Sequence, residues 1–153
     1  MISDERNNDC AHILTSLTYI GKNREKDNGV KMARTFEIAR RNNEQSGITS
    51  ALAINDNYII QNIEGLRLDV NELLTRIITE RPHLSIHVVE IKEVEMRKWD
   101  GFLIRYLTSG PEYEVHTLKH FSTGTDFNPY LMTKDRIINF MDALFTDERL
   151  NEI

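Results

Sequence analysis

Three side chains in this sequence, a tyrosine, an asparagine and a glutamine, have types that could hydrogen-bond a polar ligand. Tyr19, Asn43 and Gln61 follow one another at intervals of 24 and 18 residues. Gln61 is the most informative. It lies in "YIIQNIEG", residues 58 to 65, an apolar run with strand character that ends in a turn. Side chains alternate between faces along a strand, so Ile59, Gln61 and Ile63 share one face, and Tyr58, Ile60, Asn62 and Glu64 share the other. An amide buried without a partner costs about 1–3 kcal/mol. Gln61 therefore pairs with protein groups or faces a polar ligand held between the sheet and its covering layer.

The elements that must position these residues follow from local pattern. "AHILTSLTYIG" reads as a first strand whose apolar residues do not alternate cleanly, as expected of a central strand. Met32, Phe36 and Ala39 recur at helical spacing before Ser46 and Gly47, which end a first helix. "ITSALAIND" and "YIIQNIEG" flank the turn-forming "NDN" and make a hairpin. Val70, Leu73, Leu74, Ile77 and Ile78 then form the stripe of a second helix, closed by Pro82. "LSIHVVEIKEV" and "FLIRYL" supply two more strands. The order predicts an α+β, ferredoxin-like βαββαβ fold, a five-stranded mixed sheet with two helices on one face.

Beyond that unit, "PEYEVHTLKHFS" reads as a short helix and "TGTDFNPYL" as a loop. A C-terminal helix follows, with Ile137, Phe140, Met141 and Leu144 on one side and Thr133 as its cap. These helices are too small for a domain of their own. They are expected to cover the second face of the sheet or to pack on another subunit. The chain divides into a flexible extension over 1–10, a core domain over 11–108 and a helical extension over 109–153.

Composition narrows the function. The 153 residues carry 19 basic and 24 acidic side chains, a net charge of -5, which argues against direct nucleic-acid binding. No segment has the length and apolarity of a membrane span or of a secretory signal, so a cytoplasmic protein is expected. The lone cysteine, Cys10, excludes an internal disulfide framework and a cysteine-based zinc site. His83 and His87 stand four apart, but a break after Pro82 and an incoming strand spoil the helical geometry of a metal pair, so no metal is expected. His116 and His120 read as solvated. No phosphate-binding glycine loop and no nucleophile motif is present.

Each candidate also has an ordinary structural explanation. Asn42 and Asn43 suit a helix end, Tyr19 could be a rim tyrosine with a wet hydroxyl, and Arg76 could snorkel to solvent. Together they suggest more. With the first and third strands adjacent at the centre of the sheet, Tyr19 and Gln61 face the same helices. Asn43 then completes a polar trio above an apolar gap lined by Leu52, Ile59 and Ile77. Such a slot would accept a flat ring with amide-like edges.

The motifs "LTSLTYIG", "ARRNNEQSGITSAL", "YIIQNIEG" and "RIITERPHLSI" resemble those of the BLUF family of flavin-binding blue-light sensors. The likeness covers about residues 11 to 108, and "FNPYLMTKDRIINFMDALF" looks like the two-helix tail of its short, stand-alone members. The resemblance implies FAD bound noncovalently between the two helices. Gln61 would bridge Tyr19 and the flavin edge, and Asn43 would hold the O4 and N3–H side. Asn42, Arg76, Ile77 and His83 match positions near the ring or its ribityl chain. Blue light would drive electron and proton transfer from Tyr19, Gln61 would change tautomer or orientation, and the spectrum would shift to the red. No substrate is converted, so no enzyme is expected. The resemblance also implies a homo-oligomer, a dimer or larger ring, and a separate downstream signalling protein. An apolar stripe on the C-terminal helix with little core of its own points the same way.

The sequence departs from the family pattern in the fifth strand. Phe102 and Ile104 stand where tryptophan and methionine are usual, with Trp99 just upstream, and these three are the candidates for signal transmission. Ser50 replaces a favoured glycine, and Thr35 a common aliphatic. Two other functions compete: a light-insensitive structural or interaction module of the same fold that has lost tight flavin binding, and a small flavin or nucleotide enzyme. The enzyme lacks an acid–base pair beside the slot.

Overall fold

A computed structural model describes residues 13–24, 38, 47–82, 84–107 and 127–146. Strands β1 (Leu14–Asn23), β2 (Thr49–Ile54), β3 (Tyr58–Leu66), β4 (Leu84–Glu93) and β5 (Phe102–Tyr106) form one sheet in the order β4-β1-β3-β2-β5. All pairings are antiparallel except β2 with β5. This is the ferredoxin-like mixed sheet expected, with β1 and β3 at its centre. Of the two helices expected on one face, α1 (Arg67–Glu80) is described. The other falls outside the described residues except for Ile38, which is helical and exposed.

Local chemistry explains the elements. Gly47 has φ 74°, a left-handed conformation that glycine adopts without a Cβ clash, and it leads the chain into β2. The β2–β3 hairpin is an Asx turn: the Asn55 side-chain oxygen accepts from the backbone N–H of Asn57 at 2.9 Å and of Tyr58 at 2.7 Å. On α1 the stripe buries Val70, Leu73 and Ile77 against the sheet and leaves Ile78 half exposed.

The second face of the sheet is covered by the chain itself. Helix α2 (Lys134–Thr146) buries all four predicted stripe residues, Ile137, Phe140, Met141 and Leu144, each at 2% exposure or less. They pack with Ile20, Ala51, Ala53, Ile60 and Trp99. Thr133 accepts from the N–H of Arg136 at 3.3 Å, as expected of a cap. The segment expected as a loop contains a 3-10 turn at Pro129–Leu131, started by Pro129 and by the Asn128 side chain, which accepts from Tyr130 N–H at 3.0 Å. The short helix expected over 111–122 lies outside the described residues. The stripe that argued for assembly is thus satisfied within one chain, which removes that ground for an oligomer.

Candidate functional site

The front face of the sheet, beneath α1, carries the site. Across four strands the register runs Tyr19, Gln61, Leu52, Ile104, each paired with the next. Flanking rows bring in Ile59 and Ile54 on one side and Leu17, Ile63 and Ser50 on the other. Ile77 and Leu73 of α1 close over the same core. Five predicted residues, Tyr19, Leu52, Ile59, Gln61 and Ile77, are therefore brought together, all nearly solvent-free.

The Tyr19 hydroxyl donates to Gln61 Oε1 at 2.5 Å. Tyr19 lies in mid-strand at 0% exposure, so the rim-tyrosine reading is wrong. Burial pushes its phenol well above the ordinary tyrosine range, and the positive charge of Arg81 offsets this in part. Tyr19 therefore keeps its proton at neutral pH and presents it to Gln61. The other half of the amide is less well served. Gln61 Nε2 reaches Ser50 Oγ at 3.4 Å, long for an N–H···O bond. The amide nitrogen thus keeps donor capacity for an acceptor such as a flavin nitrogen or carbonyl. That reserve, in a wall of aliphatic side chains, fits the cofactor.

Other predicted residues are placed differently. Arg76 is exposed on the flank of α1, where with Leu68, Asn71, Glu72 and Thr75 it lines an open groove of about 680 Å³. Asn42, Asn43, His83 and Thr35 lie outside the described residues. Phe102 and Ile104 face the front core. Trp99 packs behind the sheet, away from the Tyr19–Gln61 pair. His87, on β4, is exposed and meets the ring of Tyr130 edge-on at 5.6 Å, and no group of three potential metal ligands occurs among the described residues.

Sequence reasoning missed a polar cluster on the back face. Glu64, 2% exposed, accepts from the backbone N–H of Lys98 at 2.8 Å and of Trp99 at 3.1 Å, and from Thr49 Oγ1 at 3.1 Å. Asn62 is buried beside it. Two polar residues alternating with apolar ones in β3 were the available signal, but a solvated face would give the same pattern. Arg81 was also missed, since nothing in "ERPH" marks it as a neighbour of Tyr19.

The family model described as "BLUF: Sensors of blue-light using FAD" matches residues 14–104. The fold is similar to that of BlsA in its photo-activated state, at TM-score 0.69 and 21% identity over 86% of this chain and 94% of that one. It is also similar to BlrB, a BLUF protein in its dark state, at TM-score 0.58 and 25% identity over 73% and 80% of the two chains. A third similar structure is a bacterial light-regulated adenylyl cyclase, at TM-score 0.61 and 20% identity over 71% of this chain. The chain spans only 32% of that cyclase's length. Comparison with curated proteins gives no match.

Proposed function

The chain belongs to the BLUF family, sensors of blue light using FAD, and from that premise we propose that Tyr19 and Gln61 are its light-responsive switch, signalling to a separate partner protein. The observation that carries this reading is the short buried hydrogen bond from Tyr19 to Gln61. FAD, when bound, supplies a ring that absorbs blue light and accepts an electron and a proton.

The chain's own residues do the rest. Tyr19, desolvated and protonated, is the donor of both, and its proton leaves along the bond to Gln61 Oε1. Glutamine suits the relay because its amide both donates and accepts, so reorientation or tautomerisation exchanges what each neighbour sees. Glutamate, once ionised, would lack the donor. Leu52, Ile59 and Ile77 keep water from the pair. Asn43 and Asn42 would hold the polar edge of the ring, with Arg76 and His83 near its side chain. The reading is of a sensor that turns over no substrate. A partner, dimer or ring, and a cytoplasmic setting belong to the same proposal. No described helix is long and apolar enough to cross a membrane.

The test is the absorption spectrum of the purified protein before and after blue illumination, repeated for Gln61→Leu. The expected result is a bound flavin whose bands move reversibly to the red in the wild type and do not move in the variant. A protein that binds no added FAD, or a shift that survives Gln61→Leu, would refute the switch and favour a light-insensitive module.

A further inference from the structure

Directly behind the switch lies a second buried amide, and we propose that its hydrogen bond to Trp99 carries the state of Gln61 to helix α2. The inference rests on the photoreceptor reading above and names the route by which that site reaches the back of the molecule. Gln61 and Asn62 share a peptide unit, and their side chains leave β3 on opposite faces. A shift of the β3 backbone at Gln61 therefore moves Asn62 as well.

Asn62 is held at both ends of its amide. Its Nδ2 donates to Thr18 Oγ1 at 2.8 Å and Ser16 Oγ at 3.0 Å, with Leu17 O at 3.3 Å. Its Oδ1 accepts from the indole N–H of Trp99 at 2.7 Å. The amide thus grips β1 at Thr18, the neighbour of Tyr19. Between Thr18 and Tyr19 the β1–β4 register shifts, leaving Val89 of β4 unpaired and the ladder locally disrupted beside the switch. Asn62 is therefore tied to both halves of the switch, to Gln61 through the backbone and to Tyr19 through Thr18.

On its other side Trp99 is built into the contact with α2. Its ring meets Phe145 edge-on, with centroids 5.7 Å apart, and is 4% exposed. The adjacent Lys98 bridges to Asp142 at 2.7 Å, while the Trp99 backbone is held by Glu64. A movement of β3 against β1 therefore arrives at the indole, and the indole presses on the helix. Asn62 and Trp99 act as positioning residues, outside the photochemistry itself. A purely structural role, fixing strand register through a satisfied polar cluster, would leave the helix indifferent to light.

The experiment uses the full chain loaded with FAD, in the dark and under blue light. Hydrogen exchange is followed over residues 134–146, and the indole N–H signal is followed by NMR. The chain has one tryptophan, so that signal needs no assignment. In the wild type the indole signal should move on illumination and exchange in α2 should change about fivefold or more. Trp99→Phe keeps the ring and removes the donor. It should retain the flavin red shift while the light-dependent exchange change falls below about half. Asn62→Leu should act alike, and covers the case in which the first variant folds poorly. A wild-type flavin shift with an unmoved indole and unaltered α2 overturns the proposal alone, as does a full exchange response in Trp99→Phe. Absence of any flavin shift in the wild type overturns the switch reading and this inference with it.

Discussion

Two consecutive amides of β3 face opposite sides of the sheet, and their surroundings differ in kind. Asn62 on the back has its donors fully used by β1 and its oxygen held by the Trp99 indole, in bonds mostly of 3.0 Å or less. Gln61 on the front makes one short bond to Tyr19 and one long contact to Ser50. A saturated buried amide holds one arrangement, because any other leaves donors and acceptors unmet at about 1–3 kcal/mol each. An amide with a donor in reserve can exchange partners at small cost. The same chemical group thus serves as a clamp on one face and as a switch on the other.

The comparison can be tested most severely through packing. Phe140→Ala removes a ring stacked on Phe127 at the centre of the back layer, and a loss of about 3–5 kcal/mol is expected from denaturant unfolding. A loss below 1 kcal/mol would mean that α2 does not hold the back face, and the contrast of two buried faces would fail.

A smaller effect is expected at Tyr19. Tyr19→Phe leaves Gln61 Oε1 without its donor and should cost about 1–3 kcal/mol at neutral pH, together with the light response. Because burial raises the folded-state pKa of Tyr19 above its unfolded value, the native state binds the proton more tightly. That contribution is complete below the ordinary tyrosine pKa of about 10 and is lost as pH rises toward the folded value. Urea melts from pH 8 to 11.5 should therefore show the wild type losing stability faster than Tyr19→Phe above about pH 10. Tyr106, pushed up to about 12 by burial and its hydrogen bond to Asp56, titrates in both proteins and cancels in the difference. Equal slopes would show that Tyr19 is not desolvated.

The smallest effect belongs to Ser50→Ala, which removes the 3.4 Å partner of Gln61 Nε2. Less than about 1 kcal/mol should be lost in a thermal melt, since so long a contact is worth little. A loss near that of Tyr19→Phe would mean that Gln61 is saturated like Asn62, and the distinction between switch and clamp would collapse.

What the sequence determined by itself was whatever depends on neighbours along the chain. The stripes of α1 and α2 were legible because helical periodicity is local, and so was the hairpin, whose turn is closed by the Asn55 side chain within three residues. Gln61 announced itself by polarity inside an apolar strand, and strand order followed from the connection rules of a split βαβ unit. Only the tertiary structure decided that the residues alternating with Gln61 are buried as well. Part of their cover, α2, begins 72 residues after Asn62. Asn62 and Glu64 look like solvent-facing residues until Lys98 and Trp99 are placed against them. Trp99, grouped by sequence with Phe102 and Ile104 as a candidate for signal transmission, belongs to the back layer, whereas those two face the front. The face on which a side chain outside a strand ends up is fixed by what packs there, and no local pattern encodes it.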